Sequence, residues 1–203
     1  MSQIKLLHSG GNGVSIVAPD SNPASDRTLK LPSDGDGTIL TTNSSVGKIL
    51  QVQQTVKTDT TSRGGSSGTD ALAAIPGLSV DITPSATSSK IYVVVNIKQG
   101  SLSSVWIKYQ LQRDSTAIYL GDTASGKISC TNFSYPQNDY GFFNISENFL
   151  DTTHNSTSQL TYQVYWGVRS DSGRIGYINR TGYDAGSYAP RGASSITAIE
   201  VAA

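Results

Sequence analysis

Lys90-Ile-Tyr-Val-Val-Val-Asn-Ile-Lys98 is the stretch whose reading decides the fold. Five of its nine residues are β-branched, a lysine stands at each end, and neither proline nor glycine interrupts it. Such side chains are stiff at χ1 and pack well on a pleated surface, and the run is short for a helix. Val93, Val94 and Val95 in succession put apolar groups on both faces, which predicts a central strand covered on two sides. A strand of that kind needs a second sheet over it.

The residues on either side supply one. Val105-Trp-Ile-Lys-Tyr-Gln-Leu-Gln-Arg113 sets Val105, Ile107, Tyr109 and Leu111 against Lys108, Gln110 and Gln112, the pattern of a half-buried antiparallel strand. Arg113-Asp-Ser-Thr116 reads as a tight turn with Ala117–Leu120 returning, and Gly121–Gln137 as a long polar connection. Tyr140–Leu150 is aromatic and strand-like, and Leu160, Tyr162, Val164, Trp166 and Val168 alternate with polar partners. Asp171-Ser-Gly173 predicts a hairpin into Arg174–Asn179, Thr181–Gly192 a loop, and Ser195–Val201 a last strand. Upstream, Lys48–Lys57 and Leu78–Ile82 read as strands, with Thr58–Ala74 between them, carrying Arg63-Gly-Gly-Ser-Ser-Gly68, as a surface excursion. About eight or nine strands after residue 46, at regular spacing and without a helix, predict a two-sheet sandwich or jelly roll. Strand order stays open, because immunoglobulin-like and jelly-roll sandwiches have similar strand counts. Roughly 150 residues bury enough surface for a single core.

Residues 1–46 have a different grain. Short apolar pulses (Ile4, Leu6 and Leu7; Val14, Ile16 and Val17; Leu29 and Leu31; Ile39 and Leu40) alternate with turn clusters at Gly10–Gly13, Asp20–Ser25 and Pro32–Gly37. Pulses this small cannot bury themselves, so the segment predicts an extended β-arm that orders against other subunits. Thr41–Val46 connects it to a head at residues 47–203.

Composition removes several function classes. Fifteen basic residues balance fifteen acidic ones, which argues against a nucleic-acid partner, since phosphate neutralisation needs a basic surface. It argues equally against an anionic membrane surface. The single Cys130 rules out an internal disulfide framework and a cysteine-based zinc cluster. No apolar run has transmembrane length, and Met1–His8 lacks the apolar core of a signal peptide. A cytoplasmic product outside the general secretory route is expected, and the Asn-X-Ser/Thr triplets at Asn43, Asn132, Asn144, Asn155 and Asn179 then reflect composition.

Leu7-His-Ser-Gly-Gly-Asn-Gly-Val-Ser-Ile-Val17, Ser25-Asp-Arg-Thr-Leu-Lys-Leu-Pro32 and Gly35-Asp-Gly-Thr-Ile-Leu-Thr41 form a recurring phrase. It resembles the N-terminal segment of tail-fibre-like virion proteins of bacteriophages, cyanophages especially. Gly47–Val52, Gly77–Ser85, Ser88–Ile91 and Ile196–Val201 are similar to pieces of the compact heads of such proteins. The resemblance implies a homotrimer with a jelly-roll head of the tumour-necrosis-factor/C1q kind. It also implies a virion location, with an arm that docks on other virion proteins. There is no long repetitive shaft between arm and head. Three functions follow: a short tail-fibre or tail-tip component for host attachment, a capsid decoration (cement) protein, and, ranked last, a surface-glycan depolymerase.

No catalytic, cofactor or metal site stands out. His8 and His154 are far apart in turn-like contexts, and Cys130 lacks a nucleophile's signature. Asp34-Gly-Asp-Gly37 lacks the further carboxylates of a calcium loop. The candidate contact residues lie in a glycine-rich run: Tyr177, Asn179, Arg180, Tyr183, Asp184, Tyr188 and Arg191. Tyrosine offers area at small entropic cost, and beside amide, acid and guanidinium it suits a host surface glycan, a host protein or a neighbouring subunit. Packing within the domain or between subunits is the commoner use of such a loop. Tyr135 and Tyr140, with Phe142, form a second patch of the same kind.

Overall fold

The computed structural model describes residues 3–7, 9–11, 13–17, 48–65, 71–102, 105–169 and 174–203. The chain divides into two compact units, residues 1–41 and 42–203.

In the first unit β1 (Gln3–Leu7) and β2 (Gly13–Val17) form an antiparallel pair, with Leu6 opposite Val14 and Ile4 opposite Ile16. Gly11, at φ +92°, turns the chain between them, a conformation only glycine adopts without cost. These are the first two apolar pulses of the arm. His8, the pulses at Leu29, Leu31, Ile39 and Leu40, the Asp34–Gly37 motif and the Thr41–Val46 connector lie outside the described residues.

The second unit is an antiparallel sandwich of eleven strands among its described residues: β3 (Ile49–Lys57), β4 (Thr61–Gly64), β5 (Ala73–Ile82), β6 (Lys90–Ser101), β7 (Trp106–Arg113), β8 (Thr116–Ile118), β9 (Asn132–Ser134), β10 (Phe143–Asp151), β11 (Leu160–Arg169), β12 (Ile175–Ile178) and β13 (Ser194–Val201). Sheet I runs β3-β13-β6-β12-β4, with β10 also on β6. Sheet II runs β5-β11-β7-β8, with β9 also on β7. The pairing is nested: β3 with β13, β5 with β11, β6 with β10, and β7 with β8 and β9. Successive nested pairs fall in sheets I, II, I and II, so the unit is one long antiparallel ribbon rolled over its own middle. That is the jelly-roll order, and it closes the question the strand count left open.

Strand alternation builds the core. From sheet I, Ile91, Val93, Val95 and Ile97 of β6 point inward with Ile196 and Ala198 of β13; from sheet II come Ile107, Tyr109 and Leu111 of β7 and Tyr162, Val164, Trp166 and Val168 of β11. Each large side chain so placed contributes about 1.5–3 kcal/mol. At the sheet margin Asp151 accepts hydrogen bonds from Arg113 (2.5 Å) and the Tyr162 hydroxyl (2.8 Å), tying β10 to β7 and β11. Burial pushes the Asp151 carboxyl up, but the Thr153 N–H, Arg113 and Tyr162 outweigh it and hold it below the ordinary range.

Several expectations need correction. Among the described residues the central strand is covered on one face, by sheet II; on the other, Tyr92, Val94, Asn96 and Lys98 are half-buried along the outside of sheet I. Pleating sends Val94 outward between Val93 and Val95, and no strand among the described residues of the head lies over it. The supposed excursion after Thr58 begins as β4, which continues the line of β3 and pairs with β12. Strand β5 starts at Ala73, before Pro76 and Gly77, because a bulge between its pairings with Gln163 and Tyr165 absorbs both breakers, with Gly77 at φ +72°. The connection after Gly121 contains β9. The Arg113–Thr116 turn is as expected: Asp114 and Ser115, at φ +47° and +69°, form the two-residue turn that suits hairpin twist. The hairpin expected at Asp171–Gly173 lies outside the described residues.

Candidate binding surface

The loop from Tyr177 to Arg191 leaves sheet I at the end of β12 and returns at β13. Its foot is fixed from below. Asn179, fully buried at φ +62°, donates from Nδ2 to the carbonyls of Lys57 (2.8 Å) and Asp59 (3.0 Å). The Ser194 hydroxyl donates to its Oδ1 (2.6 Å). Backbones then meet directly: a Cβ on Gly182 would lie 2.0 Å from the Ser101 carbonyl oxygen, and one on Gly100 2.1 Å from that of Arg180. Glycine is the residue that allows this approach.

Above the foot, an isolated bridge pairs Arg180 with Arg191. Asp184 answers both charges, at 2.9 Å from Arg180 and 2.6 Å from Arg191. The Arg191 hydrogen bond, helped by the charge of Arg180, holds the Asp184 carboxyl below its ordinary range despite some desolvation. Arg180 also lies over the Tyr177 ring, 4.2 Å from its centroid, and donates to the Thr181 and Gly182 carbonyls. Tyr177 is buried beneath it.

The two patches seen in the sequence partly merge. Tyr183 packs on Tyr140 with centroids 4.9 Å apart, and its N–H donates to the Asp139 carbonyl (2.8 Å). Tyr140, Tyr183 and Tyr188 are the exposed aromatics of this surface, Tyr188 at 80%. Tyr188 closes the short 3-10 turn Gly186–Tyr188, and Phe142 sits against Gly192. Asn179 and Tyr177 have almost no surface to offer and serve as foundation. Tyr135 is elsewhere: its ring faces Trp106 at 6.1 Å, on the outside of sheet II.

That second location was invisible in linear order. Register sets Arg169 opposite Trp106, and Gly167 opposite Lys108, which in turn faces Phe133. Together they line a hollow of about 550 Å³ with Lys127, Ile128 and Cys130. A signal was present in β7: Trp106 stands in the polar phase of an otherwise regular alternation.

No group of three metal-ligating side chains occurs among the described residues, and no helix among them is long and apolar enough to cross a membrane. His154 is buried. Its Nε2 lies 2.7 Å from the Ser89 carbonyl and so carries the hydrogen, while Nδ1 accepts from the Ser156 N–H. Burial pushes the Cys130 thiol up, only partly offset by Lys108, which makes it a poor nucleophile at neutral pH. Glu200 is also committed: burial raises its carboxyl, but bonds from Ser89, Gln51 and Ser85 outweigh that and lower it.

No family model and no curated protein matches the sequence. Among solved structures it is similar to VP2 of infectious bursal disease virus. The VP2 subviral particle matches at a TM-score of 0.45 and 13% identity, over 95% of this chain and 43% of that one. The structure of the Gx strain matches at 0.41 and 11%, over 95% and 46%, and that of the Gt strain at 0.42 and 13%, over 95% and 48%. The chain thus spans less than half the length of these proteins. A likeness so distant fixes neither family nor activity.

Proposed function

We propose that this chain is a non-enzymatic virion structural protein, a short homotrimeric tail-fibre or tail-tip component. Residues 1–46 dock on other virion proteins, and the head at residues 47–203 meets the host surface. The observation that carries the assembly is the outer face of sheet I, over which no described residue forms a second layer. Val52, Ile199, Tyr92 and Leu150 line up across four neighbouring strands, β3, β13, β6 and β10, as one outward apolar row. Val52 is 53% exposed and Leu150 43%. Four strands about 4.8 Å apart, some nine residues long, present roughly 600 Å². That is the order of one partner's share of a standard protein interface, about 800 Å². The virion assignment is supported by the resemblance of the Leu7–Val17, Ser25–Pro32 and Gly35–Thr41 phrases to tail-fibre-like proteins. The non-catalytic reading is supported by the acids with shifted affinity: Asp59, Asp151, Asp184 and Glu200 are each bound to structural partners.

A second reading, a capsid decoration protein, is favoured by the sequence, in which no long repetitive run stands between residues 1–46 and the head. Quantitative mass spectrometry of purified particles separates the two. A few dozen copies or fewer fit a tail component, and hundreds remove it in favour of decoration. Light scattering tests the assembly: the wild type should be an oligomer, and Ile199→Lys should yield folded monomers. A wild type that is monomeric at micromolar concentration removes the oligomer.

A further inference from the structure

The outer face of sheet II points away from the surface proposed for assembly, so an oligomer built on sheet I leaves it accessible. Beside the β7–β8 turn this face carries a polar depression of about 390 Å³, lined by Gln112, Asp114, Ser115, Thr161, Gln163 and Tyr165. That volume is in the range of small-ligand sites. Strand register makes it. Gln163 stands opposite Gln112, and Tyr165 opposite Gln110. Their neighbours on the other side are Ser79 and Ala74 of β5, and Ala117 of β8 lies beside Gln112. Long side chains thus rise between short ones on one face of the pleat. The bulge of β5 falls opposite Gln163 and Tyr165, an irregularity of the kind that re-aims side chains.

The polar groups of the depression are held in fixed positions. Asp114 Oδ1 accepts from the Thr161 N–H (2.8 Å), and the Asp114 N–H donates to the Thr161 carbonyl (3.0 Å), which locks the turn onto β11. The Thr161 hydroxyl donates to Asp81 (2.6 Å). Gln112 donates from Nε2 to Gln110 Oε1 (2.7 Å), which sets the plane of its amide and leaves its carbonyl outside that bond. The Gln163 amide makes no hydrogen bond to another described residue. The Tyr165 ring is half-buried among them.

We propose that this depression binds a neutral glycan. Amide, hydroxyl and phenol groups each donate and accept, as sugar hydroxyls do, and the Asp114 carboxylate accepts from a hydroxyl in a charge-assisted bond. The Tyr165 ring offers an apolar platform for one sugar face. Thr161 to Tyr165 is about 13 Å of strand, room for two or three linked rings. An acidic glycan would bring its charge against Asp114. A peptide strand docks on a sheet edge, whereas β7 and β11 each have a neighbour on both sides. Each site binds weakly, and an oligomer presenting several copies multiplies the effect. The inference rests on reading the head as an attachment module and names the chemistry to which it attaches. Its test uses purified protein: failure there removes the site and leaves the virion role standing. An unfitting copy number removes the tail role and leaves the binding results as they are.

Saturation-transfer NMR on the full chain tests this with hexasaccharides of α- and β-linked glucose, mannose, galactose and N-acetylglucosamine. Hexagalacturonate and the glucosamine hexamer serve as the acidic and cationic counterparts. At least one neutral member should give saturable transfer, and the two charged ones should not. Gln163→Ala should weaken the neutral binding about tenfold, the contribution of one or two hydrogen bonds, with the thermal transition unchanged. Tyr165→Ala should remove it. Asp114→Asn keeps an oxygen for the Thr161 N–H and suits the positive φ of +47°, so it should fold and admit hexagalacturonate. No saturable transfer to any neutral member, or binding that survives both Gln163→Ala and Tyr165→Ala, would overturn the proposal. So would a preference of the wild type for hexagalacturonate or for the glucosamine hexamer.

Discussion

The Tyr177–Arg191 loop and the Trp106 hollow are made of the same materials, aromatic rings and guanidinium groups, and differ in how those groups are satisfied. In the loop Asp184 neutralises two arginines, Arg180 covers Tyr177, and Asn179 spends its amide on backbone carbonyls. In the hollow the Arg169 Nε has no hydrogen-bond partner among the described residues, and no carboxylate among them lines the wall. A loop that answers its own charges is closed by chemistry even where it is open to water. Composition locates polar aromatic clusters, and only the accounting of partners distinguishes a strut from a receptor.

The contrast breaks most visibly at Asn179. Asn179→Ala removes three hydrogen bonds and puts alanine at positive φ, which should cost about 3 kcal/mol in denaturant unfolding. Acrylamide quenching of Trp106, the exposed tryptophan of the two, should not change where the protein stays folded. Altered quenching with unchanged stability would reverse the two roles.

Acid should separate the regions next. Asp184, Asp151 and Glu200 all have carboxyls held below their ordinary values of 3.8, 3.8 and 4.5. A carboxylate lowered by folding contributes stability that is complete above its unfolded value and lost as pH falls through its folded value. The melting temperature should therefore be level from neutrality to about pH 5 and fall below the ordinary carboxylate range. Asp184 is partly exposed and screened by solvent, so most of the loss belongs to the two buried groups. In Asp151→Asn the acid decline should be shallower; an identical profile would take Asp151 out of the account.

The smallest effect should fall on the hollow itself. Arg169→Met keeps a long apolar stem against Trp106 and removes the buried Nε, which has no partner among the described residues, so stability should hold or rise by about 1 kcal/mol. A marked loss of stability would mean that Arg169 has a structural partner, and the difference between the two regions would vanish.

Much of the head was legible because two-residue alternation survives translation into strands. The inward set of β7, Ile107, Tyr109 and Leu111, and that of β11, Tyr162 to Val168, are buried as their spacing requires. The strands that escaped were β4 and β9, of four and three residues, in polar glycine- or asparagine-bearing stretches. Their ordering comes from the long neighbours they pair with, β12 and β7, and propensity cannot report that. The loop was found for its composition, but the burial of Asn179 beneath it depended on Lys57 and Asp59, more than a hundred residues earlier.

Sequence alone determined that this protein is built of antiparallel strands around one apolar core, because side-chain periodicity is a local property of the backbone. It also led to the expectation of an N-terminal arm apart from the head, and the chain does divide into two compact units, at residues 41 and 42. Tertiary structure alone decided the jelly-roll order, the outward placement of Tyr92 and Val94 on the central strand and the meeting of Arg169 with Trp106. Those depend on which strands pair and in what register, a choice settled by the whole core at once and written in no single stretch of chain.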